Sequence, residues 1–207
     1  MFYFYKKFKM NKKHLFWIIP TALLLMLISS IYGFNNSAVK KLEQLKTSLS
    51  NVESSYQRRS DVITGLVNTV KGAANFEQDV LTQVVEARAS AGQTNIDLDN
   101  ISPSNINAFT QAQQALSGAL SRLLVTVERY PELKATQNFI EFQSQLEGTE
   151  NRINVERNRY NEAVNNYNTH IKIFPNVLYA KWLGFSEEFE RFKSNEGSQN
   201  APEIQFD

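Results

Sequence analysis

The sequence contains no cysteine, and only two of its 207 residues are histidines. Without cysteine the chain cannot form a disulfide, a thiolate metal site or a cysteine-linked lipid anchor. His14 lies in the basic N-terminal segment, which leaves His170 as the only histidine of the remaining chain. Catalytic triads, zinc sites and di-iron bundles need histidine or cysteine in company. We therefore expect no catalytic, metal or cofactor site of these kinds, and the absence of a glycine-rich phosphate loop argues against nucleotide binding.

Acidic residues are missing from the first 36 positions, which hold five lysines. The overall charge of +1 therefore hides an asymmetry, because residues 37–207 carry 17 Lys and Arg against 21 Asp and Glu. A mildly acidic body without a basic stripe does not offer the clustered phosphate contacts that nucleic acid requires. No nucleic-acid partner is expected.

A single uncharged run of 18 residues, Leu15–Tyr32, lies near the start of the chain. As a helix it would span about 27 Å, close to the roughly 30 Å of a bilayer's hydrocarbon core. We predict a transmembrane anchor at residues 15–34, in contact with the lipid bilayer. A cleaved signal peptide is the alternative, but the upstream positions that should be small are isoleucines, Ile28 and Ile31.

Residues 1–14 form a basic N-terminal tail before this anchor, whereas only Lys40 and Lys41 follow it closely. By the positive-inside tendency, this favours a cytoplasmic N-terminus and an extracytoplasmic body. Met10 is a second plausible start, and starting there would remove three of the five tail lysines. The sequence does not decide between the two starts. The number of lysines before the anchor, and so the strength of the orientation signal, therefore stays open.

Residues 139–174 contain no proline and a single glycine, Gly148. Within them a seam of residues recurs in steps of three and four, which places the seam on one face of a continuous helix. The seam consists of Phe139, Phe142, Leu146, Thr149, Ile153, Arg157, Tyr160, Val164, Tyr167, Ile171 and Phe174. Such a helix would be roughly 54 Å long. It would not be stable alone in water, so the other helices must cover this face.

The first helix after the anchor is predicted to begin at Ser37, whose side chain can cap it. The same spacing then runs from Leu42 to Ala73 and is interrupted only by Arg59. Thr64-Gly65 is expected to be its weak point, because both residues lower helix propensity. This helix is the predicted main partner of the long helix.

Two shorter helices are indicated between these partners. Asn75 and Gln78 resemble a capping box for a helix over residues 76–91. Ser102-Pro103 is typical of a helix start, and Pro131 requires that helix to end before it.

No strand-like alternation is present, so the predicted fold class is all-α. Four amphipathic helices with short connections favour an elongated antiparallel four-helix bundle over residues 35–185, with coiled-coil-like packing. Residues 186–207 are polar and charged, and are predicted to form a flexible tail.

Several segments, taken in order and spacing, resemble the LemA family of bacterial membrane-anchored helical proteins. They are YQRRSD at 56–61, LVNTVKG at 66–72, EAR at 86–88, ERYPELK at 128–134, LEGTENRI at 146–153, Tyr160-Asn161, Tyr167-Asn168, Phe174-Pro175 and Gly184-Phe185. The resemblance covers residues 35–185 and implies a single-pass protein of the bacterial cytoplasmic membrane without catalytic residues. It also implies a link with envelope homeostasis and membrane proteases. Thr64-Gly65 replaces the usual Pro-Asn of the family, and Tyr32 stands where some members carry a lipidated cysteine.

Arg59 is the most informative charge, because it interrupts an apolar seam. It must extend to solvent or pair with a carboxylate, for which Glu150 and Glu86 are candidates. Such a pair would fix helix register more than add stability. Alternatively, Glu86 and Glu150 could be forced together as a catalytic carboxylate pair, which is the runner-up function.

A stripe of six asparagines lies beside the long helix's seam, and it consists of Asn151, Asn154, Asn158, Asn161, Asn165 and Asn168. It is either a polar boundary or a hydrogen-bonding surface for a partner helix or extended peptide, since each amide is donor and acceptor. Three of these asparagines lie in the matched motifs. The candidate interaction or structural polar residues are therefore Arg58, Arg59, Asp61, Glu86, Arg88, Glu150, Asn151, Arg152, Asn161 and Asn168.

The segment after Pro175 combines aromatic residues with lysines, as interfacial segments do. Tyr179, Trp182 and Phe185 are the candidate interfacial residues. The alternative is that they plug the open end of the bundle. These features together predict a non-enzymatic, membrane-anchored scaffold or adaptor that binds other envelope or membrane proteins; they leave its oligomeric state open.

Overall fold

The computed structural model describes residues 12–72, 76–98, 100–185 and 188–193. These ranges contain helices and connecting segments but no strand, which confirms the predicted all-α class. The predicted basic tail, up to residue 11, and most of the predicted C-terminal tail lie outside them.

Helix α1, Lys12–Lys71, is one continuous helix of 60 residues, about 90 Å long. The predicted new start at Ser37 is therefore wrong. Asparagine and serine lower helix propensity only modestly, and Phe34 and Ala38 bury their side chains against the following helices. This packing outweighs the local capping tendency, so the apolar anchor and the first bundle helix are one rigid element.

Helices α2, Gln78–Gln93, and α3, Pro103–Val127, form a hairpin beside α1. Ser102 caps α3 by accepting a hydrogen bond from the backbone N–H of Asn105 at 3.3 Å, as predicted. The capping box predicted for α2 is wrong, because Glu77 occupies the N-cap position without a side-chain cap, and Asn75 lies outside the described residues.

A single-turn helix, α4 (Pro131–Lys134), leads into α5, Gln137–Lys172, which is the predicted long helix. Thr136 caps α5 by accepting from the backbone N–H of Phe139 at 3.3 Å. Phe174, predicted in the seam, is instead 81% exposed, because the helix ends before Pro175. Helix α6, Asn176–Leu183, follows and ends at Gly184, whose φ of +83° is the left-handed conformation that favours glycine.

Helices α1 and α5 pack against each other in antiparallel fashion along most of the bundle. In the half of the bundle farther from residues 15–34, α1, α2, α3 and α5 together enclose a core that includes Ile63, Val84, Leu123 and Leu146. In the half nearer the anchor, α2 is absent and α3 contributes only its start, so the four-helix arrangement covers part of the length. There α6 and residues 188–193 close the core of α1 and α5.

Residues 188–193 are therefore not part of a flexible tail as predicted. They lie extended along α5, and Phe192 is only 6% exposed. Burial of two phenylalanines, Phe189 and Phe192, against the core holds this segment in place.

Candidate functional site

Arg59 lies at the centre of the bundle and is 2% exposed. Its Nη1 donates hydrogen bonds to Glu150 Oε1 and Ser117 Oγ, both at 3.0 Å. Its Nη2 donates to the Gln113 side-chain oxygen at 2.6 Å and to the Gln113 carbonyl at 3.2 Å. Arg59 thus joins α1, α3 and α5, and its partner is Glu150, one of the two carboxylates predicted for it.

The guanidinium of Arg59 also lies 4.9 Å from the ring centroid of Tyr56, in a cation–π contact. Burial raises the pKa of the Tyr56 phenol above its ordinary value, although Arg157 and Arg59 nearby oppose the rise. Arg59 is therefore a buried charge, whereas Glu150, its partner, is partly open to solvent. The arrangement of this pair suits the fixing of helix register rather than proton transfer.

The other predicted polar residues of this region lie apart from Arg59. Arg58, Asp61 and Arg152 line a shallow, open groove between α1 and α5, and Asn151 is exposed. Arg88 Nε donates to the Ser60 carbonyl at 3.1 Å and so links α2 to α1. Glu86 is exposed on α2, so Glu86 and Glu150 do not form a buried carboxylate pair.

Sequence reasoning missed Glu156, which is 8% exposed and pairs with Arg159 at 2.8 Å. The signal was present, because Glu156 is three residues from Ile153 and four from Tyr160, and so fits the seam as well as Arg157 does. Arg157 is instead half-buried at the edge of the core and faces the C-terminal segment.

Asn161 and Asn168, two of the predicted candidates, hold the segment 188–193. Asn161 Nδ2 donates to the Phe192 carbonyl at 3.0 Å, and its Oδ1 accepts from the Phe192 N–H at 2.8 Å. Asn168 makes the same two bonds to Phe189, at 2.9 and 3.2 Å. Each amide thus binds both main-chain groups of one residue, as a neighbouring strand would. The remaining asparagines of the stripe are exposed.

Two tyrosines of α5 form the floor beneath this segment. The Phe192 ring centroid lies 5.1 Å from that of Tyr160, and the Phe189 centroid lies 5.2 Å from that of Tyr167. The Tyr160 hydroxyl donates to the Glu190 carbonyl at 3.2 Å. Burial raises the pKa of Tyr160 well above its ordinary value, and the Glu190 carboxylate adds to the rise, so the phenol remains a donor.

Where the bundle meets the anchor, α6 packs against the last turns of the apolar run. Phe34 stacks on His170 at 5.2 Å and contacts Tyr179 and Phe185, with ring centroids at 5.8 and 5.9 Å. Ser30 Oγ lies 3.4 Å from the Tyr179 hydroxyl. Tyr179 and Phe185 therefore occupy the positions expected for a plug of the bundle's end.

The opposite side of α6 presents an exposed apolar surface, called here the apolar corner. It consists of Ile173, Phe174, Val177, Leu178 and Trp182, which are 44 to 81% exposed. Of the three candidate interfacial residues, Trp182 alone belongs to this exposed surface. The same element thus carries a plug on one face and an apolar corner on the other.

Within the described ranges, no group of three or more histidine, aspartate or glutamate side chains is placed to hold a metal ion. The clefts that these ranges form are open and lined with polar residues. One of them lies between α5 and residues 188–193, with a volume of about 870 Å³. These surfaces suit protein contacts along helix faces more than enclosure of a small molecule.

Residues 48–206 match the LemA family model. The chain belongs to the LemA family. Protein LemA of Metamycoplasma hominis is 25% identical to it over 142 residues, which cover 69% of this chain and 61% of that relative. Magnetosome proteins MamQ 1 and MamQ 2 of Paramagnetospirillum magneticum are each 23% identical over 189 residues, covering 83% of this chain and 70% of theirs.

The residues that match the family include Arg59 with its hydrogen-bond partners, Asn161 and Asn168, and the segment 188–193 that these asparagines hold. In this LemA-family chain, one described helix, α1, is long and apolar enough to cross a bilayer, and the side chains of residues 16–30 are all exposed. Together with the relatives, this helix indicates a membrane-associated protein.

Proposed function

We propose that this LemA-family protein is a non-enzymatic scaffold or adaptor of the bacterial cell envelope, anchored in the cytoplasmic membrane by residues 15–34. The observation that carries the proposal is the continuity of α1 from the anchor into the bundle. Its 37 residues beyond Phe34 extend about 55 Å from the anchor. A rigid support of this kind holds the exposed faces of α3 and α5 at fixed heights above the bilayer, as an adaptor requires.

Two observations favour this function over the carboxylate-pair alternative. Glu150 neutralises Arg59, and Glu86 lies exposed on another helix, so neither is placed for acid–base chemistry with the other. The LemA family is also not a known family of enzymes. Surface recognition uses what the described residues do provide, namely long polar helix faces.

The test is photo-crosslinking in intact cells with the full chain. A photoreactive amino acid replaces Gln111 or Asn158, both exposed, on α3 and α5 respectively. We expect discrete adducts with membrane proteins at defined positions. The matched variant carries a four-residue glycine and serine insertion between Tyr32 and Gly33, which are both exposed, so that the body is uncoupled from the anchor while Phe34 and Ala38 stay in the bundle core.

An adaptor that works at a fixed height should lose most of these adducts when the flexible insertion is present. If the insertion leaves the adducts unchanged, the rigid α1 is not what positions partners. If no discrete adduct forms at any exposed position, the adaptor function itself is wrong.

We also propose that the body lies outside the cytoplasm, on the basis of the lysines before the anchor. The chain has no cysteine, so a single Gln111→Cys substitution gives one labelling site. A membrane-impermeant maleimide should label this site in intact cells once the outer barrier is opened. Labelling only after lysis of the cytoplasmic membrane would place the body inside.

A further inference from the structure

Residues 188–193 are held on α5 through their main chain as well as through the packing of Phe189 and Phe192. Asn168 and Asn161 each bind both the N–H and the carbonyl of one residue, Phe189 and Phe192 respectively. In addition, Arg157 donates to the Lys193 carbonyl at 2.6 Å. Main-chain groups are common to every peptide, so these contacts do not depend on the sequence that is bound.

The register of the two asparagines matches an extended chain. Asn161 and Asn168 are seven residues apart, about 10.5 Å along a helix. Phe189 and Phe192 are three residues apart, about 10 Å in an extended strand. The segment runs antiparallel to α5, because the later residue of α5 pairs with the earlier residue of the segment. The spacing of the two asparagines on α5 therefore matches the spacing of residues three apart in an extended peptide.

Sequence preference enters through a few side chains of the segment. Phe189 and Phe192 pack on Tyr167 and Tyr160, and the guanidinium of Arg157 lies 5.3 Å from the Phe192 ring centroid. Ahead of them, Glu188 pairs with Lys172 at 2.6 Å. The residues between the phenylalanines are exposed. A ligand should thus carry an acidic residue followed directly by an aromatic residue and, three positions later, a second one.

We propose that this α5 groove is a binding site for an extended Glu-Phe-x-x-Phe segment of a partner protein, and that residues 188–193 are its resident, displaceable ligand. The proposal rests on the adaptor function and names the class of partner. The segment already seated there defines the ligand chemistry. Helices α1 and α5 also pack directly against each other, so release of the segment uncovers Tyr160 and Tyr167 but leaves the α1 and α5 pairing in place.

Tethering keeps the resident segment at an effective concentration in the millimolar range. A free peptide must compete with that segment. Confinement of a partner to the same membrane would raise its local concentration and allow exchange. The groove would therefore exchange its resident segment for a partner in the same membrane, and not for a dilute free peptide.

The first test measures binding of a fluorescent peptide with the sequence of residues 187–193, EEFERFK, to the full chain in detergent. The Phe189→Ala/Phe192→Ala variant weakens the resident segment and should bind the peptide on the order of tenfold more tightly than the unmodified chain. Adding Asn161→Ala/Asn168→Ala should abolish that gain. Adding Asn151→Ala/Asn158→Ala, which changes exposed asparagines of the same stripe that do not line the groove, should not.

The second test leaves the groove unmodified, in case the phenylalanine variant does not fold. Spin labels at Asn166→Cys and Arg191→Cys, both exposed in a chain without other cysteines, report the distance between α5 and the segment. Millimolar peptide should add a population at longer distance, and a peptide with both phenylalanines changed to alanine should not.

An unchanged distance together with no gain in the first test would overturn the proposal and make the segment a fixed part of the fold. Coupling between chains labelled only at one site each would also overturn it, because a second copy would then be the occupant. If peptide exchange occurs but cells yield no adducts, the groove is a peptide site and the adaptor function fails. If adducts persist while the segment never moves, the adaptor binds its partners elsewhere.

Discussion

Arg59 and Glu150 meet across the bundle at 3.0 Å, with the arginine side chain 3% exposed and the carboxylate side chain 42% exposed. The guanidinium is therefore desolvated almost completely, while its counter-charge remains in contact with water. Removing Glu150 leaves a buried charge uncompensated, whereas removing Arg59 leaves a carboxylate that water can still solvate. The two residues consequently differ in what their substitution should do.

Glu150→Gln should destabilise the fold by about 2 kcal/mol, because it leaves the buried guanidinium without a neutralising charge. The amide oxygen can still accept a hydrogen bond, which keeps the loss moderate. Urea unfolding of the full chain in detergent, followed by circular dichroism, measures the change. Glu147→Gln, on an exposed position of the same helix, is the control and should have little effect. Equal losses in the two variants would contradict the assigned role of Glu150.

Arg59→Met should keep helicity and stability, because replacing a buried ion by an apolar side chain of similar volume is often neutral or stabilising. The substitution removes the contacts to Gln113, Ser117 and Glu150 that fix α1 relative to α3 and α5. We expect broadened amide resonances for residues around these three helices. Sharp and unshifted spectra would show that apolar packing alone sets the register.

The positions of the helices could be predicted because their signals are local. The steps of three and four in α5 identified Ile153 and Tyr160 as buried, and the spacing is a property of the helix itself. The interruption of the α1 seam by Arg59 also predicted that this residue needs a carboxylate partner, and Glu150 was one of the two candidates. What the spacing could not decide was whether Glu156 or Arg157 turns inward, since both fit the repeat.

The continuity of α1 and the seating of residues 188–193 depend on tertiary contacts. Phe34 is buried by residues far along the chain, and that packing keeps the helix intact through the predicted cap at Ser37. The C-terminal segment is recognised through its backbone, which leaves little mark in its sequence. The two phenylalanines in an otherwise polar stretch were the one available signal.

Gly65 lies directly beneath the ring of Phe142. A Cβ atom at this position would come within 2.5 Å of Phe142 Cε1 and 2.7 Å of its Cζ. Gly65→Ala should therefore destabilise the fold by about 1–3 kcal/mol through overpacking, despite the higher helix propensity of alanine. The expected weak point of α1 is thus a site of close helix contact. Thermal unfolding of the full chain measures the loss.

Gly118→Ala is the matched control, because a Cβ there meets no atom within 4 Å on an exposed helix position. It should stabilise the chain by up to about 1 kcal/mol. Adding Phe142→Leu to Gly65→Ala should recover part of the loss. If both glycine substitutions stabilise the chain, the Phe142 ring yields without cost and the close packing has no energetic role.

His170 should make stability depend on pH. Burial lowers its pKa below the ordinary value of 6.5, and Lys41 nearby lowers it further, although the nearby Phe34 backbone opposes this. The unfolded chain therefore binds more protons than the folded chain between the folded pKa and 6.5. Stability should fall as pH drops through about 6.5 and level off below the folded pKa.

Unfolding midpoints in urea at pH 5.5 and 7.5 measure this dependence. His170→Gln should reduce the difference between the two midpoints, because glutamine does not titrate. His14→Gln, in the N-terminal basic segment, is the control and should leave the difference as it was. A pH dependence that persists in the His170→Gln variant would assign it to other groups.

Trp182 should lie in the membrane interface. It belongs to the apolar corner, on a helix that contacts the last turns of the anchor through Tyr179 and Ser30. We expect an exposed apolar surface beside the predicted anchor to contact the bilayer, because such surfaces avoid water and tryptophan is enriched at the membrane boundary. The nearby lysines, Lys172 and Lys181, suit contact with lipid headgroups.

The chain has two tryptophans, so the Trp17→Phe variant reports on Trp182 alone. Reconstituted in vesicles containing brominated lipid, this variant should show quenched and blue-shifted emission. Trp182→Phe, which retains Trp17 in the span, is the positive control, and adding Leu178→Asp to the reporter variant should weaken the quenching by lifting α6 away from the apolar region. Unquenched Trp182 beside a quenched Trp17 would mean that the apolar corner faces a protein partner and that α6 serves only as the plug of the bundle.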